Sequence, residues 1–496
     1  MSDTADTRRR TEVNSLVNAD PGDTIVLQPS AGSSHQPGGF LRWFSGKAHW
    51  LFLIIAVPLL LVMVTVNPVG NGMDEQTHTL RAWQISQFNL FPGPDGSDTI
   101  PVGLDAYIWS TVPSFHDSIA SLPDNYGSGA VGIRDSDLHV NWSNSLATNA
   151  YFPMIYFPGA AGFLIANALN TSVSTAYWLA RAGQALAFCV IGFIALFLVR
   201  RTRMSWLIFA SALLPVTLFQ SSYVTADTLS LAFALLFAAT LFNVLLESAY
   251  SRSRTIWLLC AASLLTWTKP TVVVFLLLLL MVPGARLATH RWRGNLLKAI
   301  PFAVLAGSYL LLNKILHHLG IGASVTSSGG SVQALFEHPV YTARMFFQAN
   351  LSMGGGYLTD SVAQFGYNSL GFVGVITLVI CLISLTLAGF YAEKLTVRHT
   401  SLFFLLACVL FAGATESTFL AVGQGLNYGP TLGIQGRYFT YGFPFIIYAL
   451  TKLVPLRVRE HLHTRLPVTI TVLSLAGPLL VVVYTWWMIG WINFSG

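Results

Sequence analysis

Charge is what this chain has least of. Of its 496 residues only 10% are Asp, Glu, Lys or Arg, against 53% hydrophobic, and the mean hydropathy is +0.59. Soluble domains carry about 25% charged residues, so this composition excludes one and leaves a polytopic α-helical membrane protein. Cysteine is also sparse. The four present, Cys189, Cys260, Cys381 and Cys408, all lie inside apolar runs, with no CxxC pair. That excludes a readable disulfide framework or thiolate metal site and leaves small packing residues. Alternating ten-residue segments are missing, which argues against an outer-membrane barrel. No fixed-period repeat is visible. The net charge of +6 comes from basic residues scattered in short loops. They read as anchors under the positive-inside rule and carry no nucleic-acid message.

What is present is a series of long apolar runs. Residues 1–40, rich in Ser, Thr, Asp, Gly and Pro, read as a disordered tail. Arg42 and Lys47 assign that tail to the cytoplasm. The first run, Trp50 to Val66, follows a long polar stretch and precedes no small-x-small cleavage site, so it reads as a retained anchor. The segment 67–150 then falls outside. Its nine acidic residues against Arg81 and Arg134 agree, and it is predicted to be a cap of short helices and loops. Residues 151–170, broken by Pro153 and Pro158, are expected to be interfacial or re-entrant.

Further spans are predicted near 177–199, 205–219, 226–246, 255–268, 272–282, 300–316, 370–391, 401–422, 438–450 and 468–489, eleven in all with the first. Residues 41–496 thus form one integral-membrane domain, N-terminus inside and C-terminus outside. Only Trp267-Thr268-Lys269-Pro270 interrupts the run from 255 to 282. Basic residues on both flanks belong inside, so the run is predicted to be a hairpin with Lys269 at its outer tip. A lysine at mid-bilayer is the disfavoured alternative. A second outer segment, 317–367, carries Gly354-Gly355-Gly356, expected to be a flexible turn. Its neighbours His317, His318 and His338 read as surface histidines.

This topology sends the unusual polar residues to one side. Directly after the first span comes Asn71-Gly72-Met73-Asp74-Glu75-Gln76-Thr77-His78-Thr79-Leu80-Arg81. Asn71 or Gly72 is expected to cap a helix whose spacing aligns Asp74, His78 and Arg81 on one face, with Glu75 beside them. Gln220 and Asp227 bracket the next outer turn. Arg181, Lys269 and the Gln435-Gly436-Arg437-Tyr438 stretch also fall at outer ends. Carboxylates that take a proton and cations that hold a phosphate would share one surface. Each has an ordinary alternative: Arg181 and Arg437 as snorkelling anchors, Asp227 as a helix cap, Gln220 as an interhelical hydrogen-bonder. His78 has no second His at metal-ligand spacing.

Taken in order, Met73-Asp74-Glu75-x-x-His78-x-x-Arg81 with Ile85-Ser86, Tyr156-Phe157-Pro158, Leu214-Pro215 with Gln220-x-Ser222, Asp227, Lys269-Pro270 and Gly436-Arg437-Tyr438-Phe439 resemble DUF2142. This is a bacterial multi-pass membrane family within the GT-C glycosyltransferase superfamily. The resemblance covers roughly Asn67 to Pro444; Gly159 stands where the superfamily elsewhere has a second proline. It implies a GT-C-like bundle in the plasma membrane with an extracytoplasmic active site. The implied reaction transfers a sugar from a polyprenyl-phosphate donor to a cell-envelope acceptor. In such enzymes an acidic residue of the first outer loop serves as general base or helps hold a divalent metal such as Mg or Mn. By position that role falls to Asp74 or Glu75, with His78 beside them. Arg81, Arg181, Gln220, Asp227, Lys269, Arg437 and Tyr438 are then expected to bind substrate. The rival readings are a lipid-linked-sugar flippase, which would need charges through the midplane and an internal repeat, and a non-catalytic envelope-assembly scaffold.

Overall fold

The computed structural model describes residue 44 and residues 46–91, 98–110, 124–134, 139–142, 148, 151–319, 337–366, 370–419, 434–456, 458–459 and 462–495. The predicted tail lies outside them, as do residues 92–97, 111–123, 135–138, 143–147 and 149–150 of the predicted cap. The helices that organise the rest are α1 (Ala48–Val66), α2 (Glu75–Ser86), α3 (Val102–Trp109), α4 (Phe157–Leu169), α5 (Val173–Leu198), α6 (Met204–Ala212), α7 (Pro215–Gln220) and α8 (Ala226–Leu246). They continue with α9 (Arg252–Leu265), α10 (Ala299–His318), α11 (Pro339–Ala363), α12 (Gly371–Tyr391), α13 (Thr400–Phe419), α14 (Phe443–Leu453) and α15 (Leu466–Ser495). Two short strands, β1 (Asp98–Pro101) and β2 (His139–Trp142), pair antiparallel with Asp98 opposite Trp142.

Among the described residues seven helices are long and apolar enough to cross a bilayer: α1, α5, α8, Arg291–His318, α12, α13 and Leu466–Met488 of α15. The chain is therefore a multi-pass helical membrane protein. Four predicted spans take other forms. Residues 205–219 are two short buried helices, α6 and α7, because Pro215 has no N–H to continue the first and opens the second instead. Residues 438–450 form a 3-10 segment, Gly436–Gly442, followed by the eleven-residue α14.

Residues 255–268 and 272–282 are α9 and the 3-10 segment Val272–Met281, separated at Lys269. They do fold back on each other. Thr255, at the start of the first arm, donates its hydroxyl hydrogen to the Leu287 carbonyl beyond the second, at 3.1 Å. The three glycines 354–356 differ from expectation: they lie inside α11, not in a turn.

The core follows from pattern. α8 is apolar all round, and 89% of its most hydropathic window is buried, so it is the central helix; Arg291–His318 has only 11% buried and is peripheral. Lipid gives little hydrophobic drive between helices, so contact depends on close approach. At the α4–α5 crossing a Cβ on Gly162 would stand 2.3 Å from the Leu179 carbonyl oxygen, and one on Gly183 would stand 2.2 Å from that of Pro158. These glycines bring α5 against α4, and hence Arg181 against the turn after α1.

Candidate functional site

The last carbonyls of α1 have no partner within the helix, and its C-terminus carries partial negative charge. Arg181 answers both. It donates to the carbonyls of Val64 (3.2 Å), Asn67 (2.7 Å) and Pro68 (2.9 Å). Its other edge meets both oxygens of Glu75, at 2.6 and 2.7 Å. Glu75 also accepts the Gly72 N–H at 3.0 Å, and both side chains of the pair are fully buried. Gly70 donates to the Tyr177 hydroxyl at 3.0 Å, and the Gln76 amide donates to the Gly70 carbonyl at 2.7 Å. The turn from Asn67 to Asp74 is therefore clamped at every step.

The clamp decides what Asp74 does. Neither Asn71 nor Gly72 caps α2; Asp74 is the N-cap residue, in the left-handed region at φ 58° and without a side-chain cap bond. Asp is one of the few non-glycine residues that tolerate this conformation. Gly72 is required nearby, since a Cβ there would stand 2.3 Å from the Tyr223 ring. Turned out of the cap role, the Asp74 carboxylate faces Arg437, Nη2 to Oδ2 at 3.1 Å, and keeps 55% of its side chain exposed.

Arg437 ties this turn to the rest. It also reaches Asp227 at 3.7 Å and donates to the hydroxyls of Tyr223 and Tyr438, both at 3.2 Å. Asp227, at the start of α8, takes the Lys269 ammonium at 2.5 Å and the Tyr441 hydroxyl hydrogen. Lys269 and Arg437 share the Tyr438 ring, 4.5 and 5.1 Å from its centroid. Arg437 can approach because Gly436 lies against α11, where a Cβ would stand 2.1 Å from the Tyr357 carbonyl oxygen. Four elements thus supply one ionic cluster: the turn before α2, the first turn of α8, the hairpin tip and the 3-10 segment before α14.

His78 lies next to it. Its Nδ1 is 2.7 Å from the Tyr156 hydroxyl and its ring 6.1 Å from Tyr151. Burial lowers its pKa to about 4, with the Asp74 and Asp227 carboxylates opposing and Lys269 and Arg437 assisting, so the imidazole is neutral near pH 7. Several buried polar atoms in or next to the cluster have no hydrogen-bond partner: Gln220 Nε2, Asp227 Oδ2 and Arg437 Nε. Buried polar groups are normally paired, so such a concentration suits water or a polar ligand.

Of the predicted site residues, Asp74, Asp227, Lys269, Arg437 and Tyr438 meet in this cluster. Glu75 and Arg181 engage each other one turn away. Gln220 accepts from the Tyr223 hydroxyl at 2.7 Å. Arg81 turns aside, to Gln84 (2.8 Å) and the Leu90 carbonyl (2.5 Å). Tyr223 and Tyr441 were not anticipated; the signal for Tyr441 is its place four residues after Arg437, converging on the same aspartate. A divalent metal on Asp74 and Glu75, the expectation from sequence, would have to displace the cations those carboxylates already hold. Arg181 and the Gly72 N–H occupy both Glu75 oxygens, a guanidinium sits on Asp74, and no three His, Cys, Asp or Glu groups converge among the described residues.

No curated protein and no solved structure matches the chain. The family model described as "Predicted membrane protein (DUF2142)" matches residues 58–449, which include every residue of the cluster. The chain therefore belongs to the DUF2142 family of predicted membrane proteins.

Proposed function

We propose that the protein is a membrane glycosyltransferase-like enzyme of GT-C type, acting at the extracytoplasmic face on a polyprenyl-phosphate-linked sugar and a cell-envelope acceptor. The observation that carries this reading is the meeting of Asp74, Asp227, Lys269 and Arg437. Asp74 and Arg437 are 363 positions apart, yet their side chains are 3.1 Å apart. Buried ion pairs are expensive to assemble, and clusters of them that perturb one another mark functional-site candidates. The unpaired Gln220 and Arg437 atoms beside them offer further contacts to a polar ligand.

The roles divide by exposure. Asp74, more than half exposed, is the general base that takes the acceptor hydroxyl proton as that oxygen attacks the anomeric carbon. The bond from that carbon to the phosphate oxygen breaks with its electron pair, leaving a lipid phosphate. Lys269 and Arg437 neutralise the charge that grows on this oxygen. Asp227, almost fully buried, holds both cations in place. Glu75 and Arg181 brace the turn that presents Asp74. His78, neutral, donates or accepts a hydrogen bond through Tyr156 and adds no charge. No step runs through a metal.

The test is transfer by the purified chain in lipid nanodiscs supplied with radiolabelled polyprenyl-phosphate sugars. Asp74→Asn should reduce transfer by about 10²–10⁴-fold, the usual contribution of a positioned base. Unchanged transfer in Asp74→Asn would remove the enzymatic reading. A second reading, a non-catalytic scaffold that binds lipid-linked sugars, is favoured by the pairing of both cations with carboxylates. It predicts donor binding that needs Lys269 and Arg437, with no turnover on any donor.

A further inference from the structure

A cavity lies away from the ionic cluster, at the first residues of α1. It has a volume of about 450 Å³ and is lined chiefly by Lys47, His49, Arg200, Arg201, Arg203 and Tyr391. α1 separates the two sites: the cavity is at its first residues, the Glu75–Arg181 clamp just past its last. Nineteen residues at about 1.5 Å each make about 28 Å, close to the thickness of a bilayer core, so the sites belong to opposite membrane faces.

Four cationic side chains line this cavity and no acidic one does. Glu393 is 3.6 Å from Arg203 but is committed to the start of α6, accepting the N–H groups of Arg203 (2.7 Å) and Met204 (3.0 Å). His49 is 95% buried, lines the cavity, and has an Nδ1 atom with no hydrogen-bond partner. Such an atom beside convergent guanidinium groups needs a partner of its own. The Arg200 guanidinium lies 3.6 Å from the centroid of the Phe197 ring, and its Nη1 donates to the Phe197 carbonyl at 2.7 Å, which fixes its direction. Arg203 is held likewise, Nη1 to His463 Nδ1 at 3.1 Å.

We propose that this cavity binds a phosphate ester or phosphate ion at the face opposite the ionic cluster. Arg200, Arg201 and Lys47 receive the phosphate oxygens, His49 and Tyr391 complete the contacts, and the volume suits a headgroup-sized ligand. An exposed apolar stripe runs from the cavity along both flanking helices: Trp50, Ile54 and Leu61 on α1, and Leu186, Val190 and Phe197 on α5. Acyl chains of an anionic lipid would lie along it. Soluble phosphate would leave it to bulk lipid.

The test uses the full chain purified in detergent and titrated calorimetrically with dioctanoyl phosphatidic acid, dioctanoylglycerol and inorganic phosphate. Saturable binding of the phosphatidic acid is expected, with the phosphate-free glycerolipid at least about tenfold weaker. Arg200→Gln with Arg201→Gln should weaken binding by about tenfold or more, and Arg200→Lys with Arg201→Lys should restore most of it. If inorganic phosphate displaces the lipid at equal concentration, the ligand is a soluble phosphate; if it does not, the ligand is a headgroup. Equal binding of dioctanoylglycerol, or unchanged affinity in the double Gln variant, would overturn the proposal. Should that variant not fold, the exposed Arg201→Gln alone decides, a loss of about threefold or more supporting the site and no loss refuting it.

Discussion

Glu75 and Asp74 are adjacent in sequence and opposite in circumstance. Glu75 is sealed against Arg181, whereas Asp74 is half open and touches a cation from a distant segment. Their variants should separate accordingly. Arg181→Met leaves a buried carboxylate and the carbonyls of Val64, Asn67 and Pro68 without their donor, and should destabilise the fold by about 3–5 kcal/mol in thermal or denaturant unfolding. Asp74→Asn keeps a residue that tolerates positive φ and removes a largely exposed charge. Its unfolding should shift by no more than about 1 kcal/mol while transfer is lost. Equal destabilisation by the two would contradict this division of roles.

His78 adds a pH dependence. Folding lowers its pKa from 6.5 to about 4, chiefly by burial, so above pH 6.5 folded and unfolded chains are both neutral there and stability is complete. As pH falls below 6.5 the unfolded chain takes up a proton that the folded chain refuses. Stability should therefore drop by about 2 kcal/mol by pH 5. His78→Gln should flatten the slope over that interval; a slope identical to the wild type would show that another group titrates.

At the scale of elements, the α4–α5 crossing is the weak point because it has no slack. In Gly162→Ala the new methyl carbon must clear the Leu179 carbonyl, now 2.3 Å away, so the helices must part. The expected loss is about 1–3 kcal/mol, read by unfolding in nanodiscs, and it should propagate to Arg181 on the same helix. Gly307, with nothing near its Cβ position, is the control: Gly307→Ala should be neutral or stabilising. Here the sequence was partly legible. The long apolar runs of α1, α5, α8, α12 and α13 were recognisable from length and hydropathy alone. The breaks at Pro215 and before Phe443 were not, because a run of apolar residues has the same composition whether its backbone continues or turns inside protein.

At the scale of the whole molecule, the two polar sites stand at opposite ends of α1, and their sidedness is testable. With Cys260 changed to Ser, cysteines introduced at Phe88 and Arg201, both exposed, should react with a membrane-impermeant maleimide from opposite sides in oriented vesicles. Labelling of both from one side would place the ionic cluster and the basic cavity on the same face. That outcome would end the reading of an extracytoplasmic catalytic site and a separate phosphate site.

Although four of its eleven expected spans proved short or broken, the sequence by itself determined that the chain crosses a membrane several times and that Asp74, Asp227, Lys269 and Arg437 are worth comparing. Burial in lipid is additive along a helix, so composition and length suffice for that. Which carboxylate meets which cation was decided only by the tertiary structure. Ion pairing falls off within a few ångströms, and Arg181 could have served either Glu75 or Asp74 until the Gly162–Gly183 crossing set its depth. The same close approach gave Glu75 a partner for life inside the protein and left Asp74 facing Arg437 at the surface.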